Sequence, residues 1–165
     1  MKKTECGCDC KKCIDCCYHS AGWFGSIEEV KNASKIMKMN VKDFVKEFLI
    51  EEWWGLSDGD ISVIAPRKNF AKISDSRPKS SIELSLLKCE MNANGKGFVR
   101  ASWGHNLITG FACIFLDENN RCLIHKSKPQ ECRESFGCKK DNATDRSKIA
   151  EYWKEHKNFI EGLKG

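Results

Sequence analysis

A chain of 165 residues, 41% of them apolar and with a formal charge of +5, is about one ordinary domain, long enough for a core yet small enough for a metal staple to matter. Its eleven cysteines are an odd number and follow a polar start, MKKTECGCDC, that lacks the apolar run of a signal peptide, which argues against a secreted, fully paired disulfide framework. No stretch reaches the roughly 18 uninterrupted apolar residues of a membrane span, the best candidate, Val41 to Trp54, being broken by Lys42, Asp43, Lys46 and Glu47; a soluble, cytoplasmic, single-domain protein over residues 1–165 is expected.

In chain order, a cysteine-rich loop over residues 6–17 comes first. Ser26-Ile27-Glu28-Glu29 then has the pattern of a capping box, in which the Ser26 hydroxyl accepts from first-turn amides and Glu29 reaches back. A helix is predicted from Ile27 to about Met39. Asn40 reads as the cap of a second helix whose Val41, Phe44, Val45, Phe48 and Leu49, extending toward Glu52 and Trp53, follow the 3,4 spacing of a buried stripe. Helices are thus predicted over about 27–54.

Gly55 to Asp60 is rich in turn residues, and the β-branched run Ile61 to Ala65 before Pro66 predicts a strand. Lys72 to Ser81 reads as an exposed loop, Ile82 to Cys89 is too short to classify by period, and Asn94 to Gly97 reads as a turn. Leu107 to Leu116 is a candidate strand entering the Asp117-Glu118-Asn119-Asn120 turn, with Cys122 to His125 returning, so that a hairpin and cysteine region is predicted over about 107–138. From about residue 145 to 163 the spacing of Ile149, Trp153, Ile160 and Leu163 predicts a terminal amphipathic helix. The fold class is mainly α with minor β (α+β), with irregular metal-binding loops.

Cys10, Cys13, Cys16 and Cys17 form a C-x2-C-x2-C-C run. Two cysteines three apart in a tight turn can place both sulfurs on one metal, and C-x2-C-x2-C is also the three-ligand run that wraps a cubane cluster. Neighbouring side chains diverge, so adjacent Cys16 and Cys17 suit two sites or a polynuclear cluster better than one tetrahedral ion. That tilts the reading toward an iron–sulfur cluster, 4Fe-4S being the type this run holds elsewhere, with zinc as the alternative. The second group, Cys113, Cys122, Cys132 and Cys138, contains no C-x2-C, which disfavours a two-knuckle zinc ribbon. Four and four ligands about a hundred residues apart suggest a metal that ties the N-terminal loop to the hairpin region and contributes directly to folding free energy.

These residues resemble the YkgJ-like CxxCxxCC proteins, described as zinc- or iron-chelating domains. The resemblance rests on Cys10, Cys13, Cys16 and Cys17, on Cys113-Ile114-Phe115-Leu116-Asp117 with Asn120-Arg121-Cys122, and on Pro129-Gln130-Glu131-Cys132-Arg133 followed by Cys138. It implies those eight cysteines as the ligand set. Where such proteins have Tyr and Arg before the Pro, this chain has His125 and Lys128, and Cys6, Cys8 and Cys89 lie outside the pattern.

Cys6 and Cys8 are candidate auxiliary ligands, Cys89 a candidate core residue. His19 and His125, close in sequence to Cys17 and Cys122, are candidates for ligation or proton transfer. Arg133 is a candidate donor to cluster sulfur or to a carboxylate, and most of the five tryptophans are expected in the core or covering the metal. With eight ligand thiolates and two divalent ions the bound protein carries about +1, so the lysines at 31, 35, 38, 42 and 46 read as a solvated helix face and nucleic acid is not an expected partner.

Three functions follow. The first is a cluster carrier, redox partner or accessory of a larger enzyme, acting through a protein partner. The second is an enzyme with an open metal position; the third, a structural zinc adaptor. No Ser-His-Asp, H-E-x-x-H, P-loop or G-x-G-x-x-G pattern points to another chemistry, and neither the substrate nor the oligomeric state is legible.

Overall fold

The structure, a computed structural model, describes residues 17, 22–56, 59–73, 97–98, 111–134 and 146–164. Those residues form an α+β domain core of five α-helices and two small antiparallel sheets. None of the helices is long and apolar enough to cross a membrane.

Helix α1 spans Ile27–Ile36 and starts at Ser26, whose extended backbone and side-chain oxygen, accepting from Glu29 N–H at 3.2 Å, make it the N-cap. The Glu29 carboxylate reaches one residue beyond the cap, to Gly25 N–H. α1 stops short of Met39 because Lys38 takes a left-handed conformation (φ 55°). Lys38 N–H donates to Lys35 C=O and Met39 N–H to Ser34 C=O, the paired bonds of a Schellman termination. Helix α2, Val41–Phe48, is capped by Asn40, whose side chain accepts from Asp43 N–H at 2.8 Å. Along these helices Lys31, Lys35, Lys38 and Lys42 are exposed, while Val30, Ala33, Phe44 and Val45 enter the core.

The second helix ends at Phe48 rather than continuing toward residue 54. Leu49 is extended (φ −116°, ψ 161°) and opens strand β1, Leu49–Leu56, which pairs with β2, Gly59–Pro66, from Leu49↔Pro66 to Leu56↔Gly59. The 3,4 spacing carries through Leu49, but Ile50, Trp53 and Trp54 favour a pleated backbone, and the strand that contains Ile61 to Ile64 supplies a ladder partner for alternate residues of β1. Ile50 and Glu51 are both buried, as expected of a strand covered on two faces.

Arg67 joins the two sheets. Its N–H donates to Phe48 C=O and its C=O accepts from Ile114 N–H, both at 2.9 Å, while its buried guanidinium donates to the carbonyls of Lys46 and Gly97. Strand β3, Lys68–Ile73, follows and includes residues 72 and 73, which the sequence assigned to a loop. It pairs with β4, Phe111–Cys113, with Lys68 opposite Cys113 and Asn69 opposite Ala112. The strand expected over 107–116 is therefore three residues long within the described chain, and its ladder partner is β3.

The Asp117–Asn120 turn forms as expected. Asp117 Oδ1 accepts from the N–H groups of Asn119 and Arg121 at 2.8 Å each, Asn120 is left-handed (φ 59°), and Leu116 bridges to Cys122. A 3-10 turn, His125–Ser127, leads to the short helix α3, Gln130–Glu134.

In place of one terminal helix there are two, α4 (Arg146–Glu155) and α5 (Lys157–Lys164). They break at His156, which stacks on Tyr152 with ring centroids 4.0 Å apart and holds the Tyr152 carbonyl with its own Nδ1 at 2.7 Å. α4 seats on the start of α1: Trp153 Nε1 donates to Phe24 C=O at 2.6 Å, and Tyr152 Oη accepts from Ile27 N–H at 3.0 Å. The core runs from Trp23 and Phe24 through Phe44, Leu49, Ile64 and Phe115 to Ile149, Trp153 and Ile160; each such side chain contributes about 1.5–3 kcal/mol on burial. Trp23 and Trp153 are among the most deeply buried residues.

Candidate metal centre

Four cysteines from distant parts of the chain line one cavity. Cys17 comes from the N-terminal run, Cys113 from the end of β4, Cys122 from the bridge after the Asp117–Asn120 turn, and Cys132 from α3; all four are half-buried. The cavity has a volume of about 20 Å³ and is completed by Phe115, Ile124, Pro66 and Pro129. Its donors are soft thiols in an apolar wall, the ligand chemistry that zinc and iron–sulfur clusters select. Among the described residues no three Cys, His, Asp or Glu side chains stand together closely enough to hold an ion. Closing the centre therefore takes inward movement of these sulfurs, a polynuclear group between them, or ligands from outside the described residues.

Cys10, Cys13, Cys16 and Cys138 lie outside the described residues, as do Cys6, Cys8, His19 and Cys89. His125 is half-buried in the 3-10 turn, where its N–H donates to Cys122 C=O at 3.2 Å, and its side chain is not in the cavity wall. Arg133 is not in the cavity wall; its guanidinium pairs with the Glu29 carboxylate, one of the two roles expected of it, and donates to Lys128 C=O at 2.5 Å.

Two carboxylates named from the sequence but not placed at the site, Glu131 and Glu29, tie down the helix that carries Cys132. Glu131, 2% exposed, accepts Gly22 N–H at 3.0 Å and receives the Arg146 guanidinium at 2.8 and 3.2 Å; its own N–H donates to Trp23 C=O. Arg146 in turn lies over the Trp23 ring at 4.7 Å. Glu29 joins the start of α1 to α3 by accepting from Gly25 and Gln130 N–H and pairing with Arg133. Gly22, at φ +72°, passes so close that a Cβ there would stand 3.3 Å from Cys132 Sγ.

Two buried lysines also line the cavity. Lys68, 4% exposed, sits directly across the ladder from Cys113, and Lys128, 3% exposed, precedes Pro129 on the way to Cys132. No motif marks Lys68. Lys128 was visible only as a departure from the resembling family's pattern.

A family model, CxxCxxCC, described as a "putative zinc- or iron-chelating domain", matches residues 9–152. The chain belongs to the CxxCxxCC family. The match spans both cysteine groups of this CxxCxxCC protein, so metal chelation is the chemistry its family description assigns to the region that contains the cavity. Comparison with curated proteins and with solved structures returned no match in either case.

Proposed function

We propose that this CxxCxxCC protein carries an iron–sulfur cluster on cysteine thiolates and works in the cytoplasm, with a protein partner, in electron transfer, in cluster delivery or as the accessory of a larger enzyme. The observation that carries this reading is the meeting of Cys17 with Cys113, Cys122 and Cys132 around one cavity. A ligand set that mixes the two sequence groups supports a centre that staples the N-terminal run to the hairpin region. Neighbouring side chains diverge as a rule, so the adjacent Cys16, which lies outside the described residues, suits a polynuclear group or a second site. Eight thiolates and no recognisable catalytic motif favour electron or cluster transfer over an open-site enzyme.

A structural zinc centre is the second reading, and the cavity's size favours it: about 20 Å³ is space on the scale of one small atom or water. Anaerobic purification followed by iron, zinc and acid-labile sulfide analysis separates the two. Iron with sulfide and broad visible absorbance is expected; zinc alone in a colourless sample replaces the cluster with the zinc module.

A further inference from the structure

Residues 22–27 lead from the N-terminal cysteine run into α1, and Gly22 to Gly25 are all buried. A buried connection cannot leave its peptide groups to water, so they must find partners in the protein. Those partners come from three other elements. Gly22 N–H donates to the Glu131 carboxylate and Trp23 C=O accepts from Glu131 N–H at 3.3 Å, both on α3. Phe24 N–H donates to Ile64 C=O of β2 at 2.9 Å. Phe24 C=O accepts from Trp153 Nε1, and Ile27 N–H donates to Tyr152 Oη, both on α4.

α4 therefore holds this segment without contributing a cysteine or any residue of the cavity wall. Tyr152 and Trp153 bond to its backbone directly. Arg146 lies over the Trp23 ring and grips Glu131 through two bonds, at 2.8 and 3.2 Å; a forked guanidinium contact of this kind fixes orientation as well as charge. Glu131 is the neighbour of Cys132, and the segment begins five residues after Cys17. The helix is itself anchored in the core by Ile149, Ala150 and Trp153. One helix thus meets the chain that follows the N-terminal cysteines and the residue beside Cys132.

We infer that α4 is a positioning strap for the metal centre: by holding residues 22–27 and Glu131 in one arrangement, it couples its own docking to metal binding. This rests on the metal-binding reading, but neither on the identity of the metal nor on which cysteines coordinate it. The coupling is reciprocal. If docked α4 favours the metal by a given factor, bound metal favours docked α4 by the same factor.

The test uses the full chain, purified anaerobically with the metal it carries. Wild type, Arg146→Gln, Arg146→Lys and Trp153→Phe are compared with Val45→Ala, a core change in α2 that lowers stability without touching the strap. Transfer of metal to a competing chelator is one readout; amide exchange of α4 with and without metal is the other. Arg146→Gln should retain metal about tenfold less well, the low end of the range for groups outside the ligand set. Arg146→Lys should fall between it and wild type, because it keeps the charge and loses the fork and the stacked plane. Trp153→Phe, which keeps a ring and loses the N–H, should also weaken retention. Metal should slow exchange in α4 of the wild type, and that extra protection should shrink in Arg146→Gln by the factor by which its metal retention falls.

Metal loss in Arg146→Gln no greater than in Val45→Ala, each scaled to its own stability loss in urea, overturns the strap and leaves the metal-binding reading standing. So does α4 exchange that metal leaves unchanged in the wild type. A wild-type protein that carries neither zinc nor iron overturns that reading, and the strap with it. If Arg146→Gln does not fold, Arg146→Lys and the wild-type exchange measurement decide in its place.

Discussion

Glu131 accepts the backbone N–H of Gly22 at 3.0 Å across 109 residues of chain. The bond closes the segment just beyond Cys17 onto the helix that carries Cys132, and Arg146 holds the same carboxylate from α4. Glu131→Ala leaves the Gly22 donor and a partly buried guanidinium without this acceptor, at a cost of about 2–4 kcal/mol. Urea melts should show that loss, and the metal should escape faster, since Gly22 is no longer tied to the helix that carries Cys132. Wild-type metal retention in a destabilised Glu131→Ala protein would refute the positioning role.

Two glycines beside α3 separate packing from metal binding. At Gly22 the backbone is left-handed and an added Cβ meets Pro66 at 3.2 Å and Cys132 Sγ at 3.3 Å; at Gly25 it meets Gln130 Oε1 at 1.9 Å. Both alanine variants should lose about 1–3 kcal/mol. Of the two, Gly22→Ala is the one whose Cβ meets a proposed ligand, Cys132, so it should weaken metal retention by more than its stability loss explains, whereas Gly25→Ala should not. Equal retention in the two variants, measured by chelator challenge, contradicts this.

Lys38 ends α1 in a conformation that glycine adopts without steric cost. Its side chain is exposed. Lys38→Gly should raise stability by about 0.5–1 kcal/mol, an increase visible as a higher urea midpoint at unchanged slope.

The Glu51 carboxylate, 2% exposed, is held by Ser62 Oγ at 2.6 Å and by Lys164 Nζ at 2.8 Å. That hydrogen bond to Glu51 is the main cause that raises the Lys164 ammonium above the ordinary lysine value of 10.5, against a smaller lowering by burial. A cation raised on folding lends stability that is complete below its unfolded value and disappears as pH climbs through the folded one. The stability difference between wild type and Lys164→Met should therefore hold through neutral and mildly alkaline pH and shrink only above 10.5. It should be modest, because Lys164 is 37% exposed and solvent screens the pair. Melts across the alkaline range check the window, and a difference that vanishes near neutrality would be inconsistent with it.

The helix starts were legible because they are local: Ser26 and Asn40 cap the residues next to them. The change from helix to strand at Leu49 was not, because Leu49 satisfies both the helical stripe and the ladder, and the decision is made by a partner strand ten or more residues away. The burial of Glu51 and Glu131 was not legible, because their partners, Ser62 and Lys164 for one and Gly22 and Arg146 for the other, arrive from elsewhere in the chain; Glu52, read at the end of the buried stripe, is buried on a strand and accepts from Trp23 Nε1. Cysteine spacing announced metal chemistry, yet it could not say that Cys17 stands with Cys113, Cys122 and Cys132. Lys68 was invisible for the same reason, its place being set by its register against Cys113.

The cavity also sets a timetable. Its walls come from residue 17, from the Pro66 to Lys68 corner, and from the stretch between Cys113 and Cys132, so the N-terminal thiol leaves the ribosome long before its companions. At roughly 5–20 residues per second, the 115 residues between Cys17 and Cys132 correspond to a wait of about 6–23 s. A nascent chain that stops short of Cys132 has an incomplete pocket, so a centre proposed on these walls would be filled as a closing step of biogenesis, after the strand corner and the last hairpin have met.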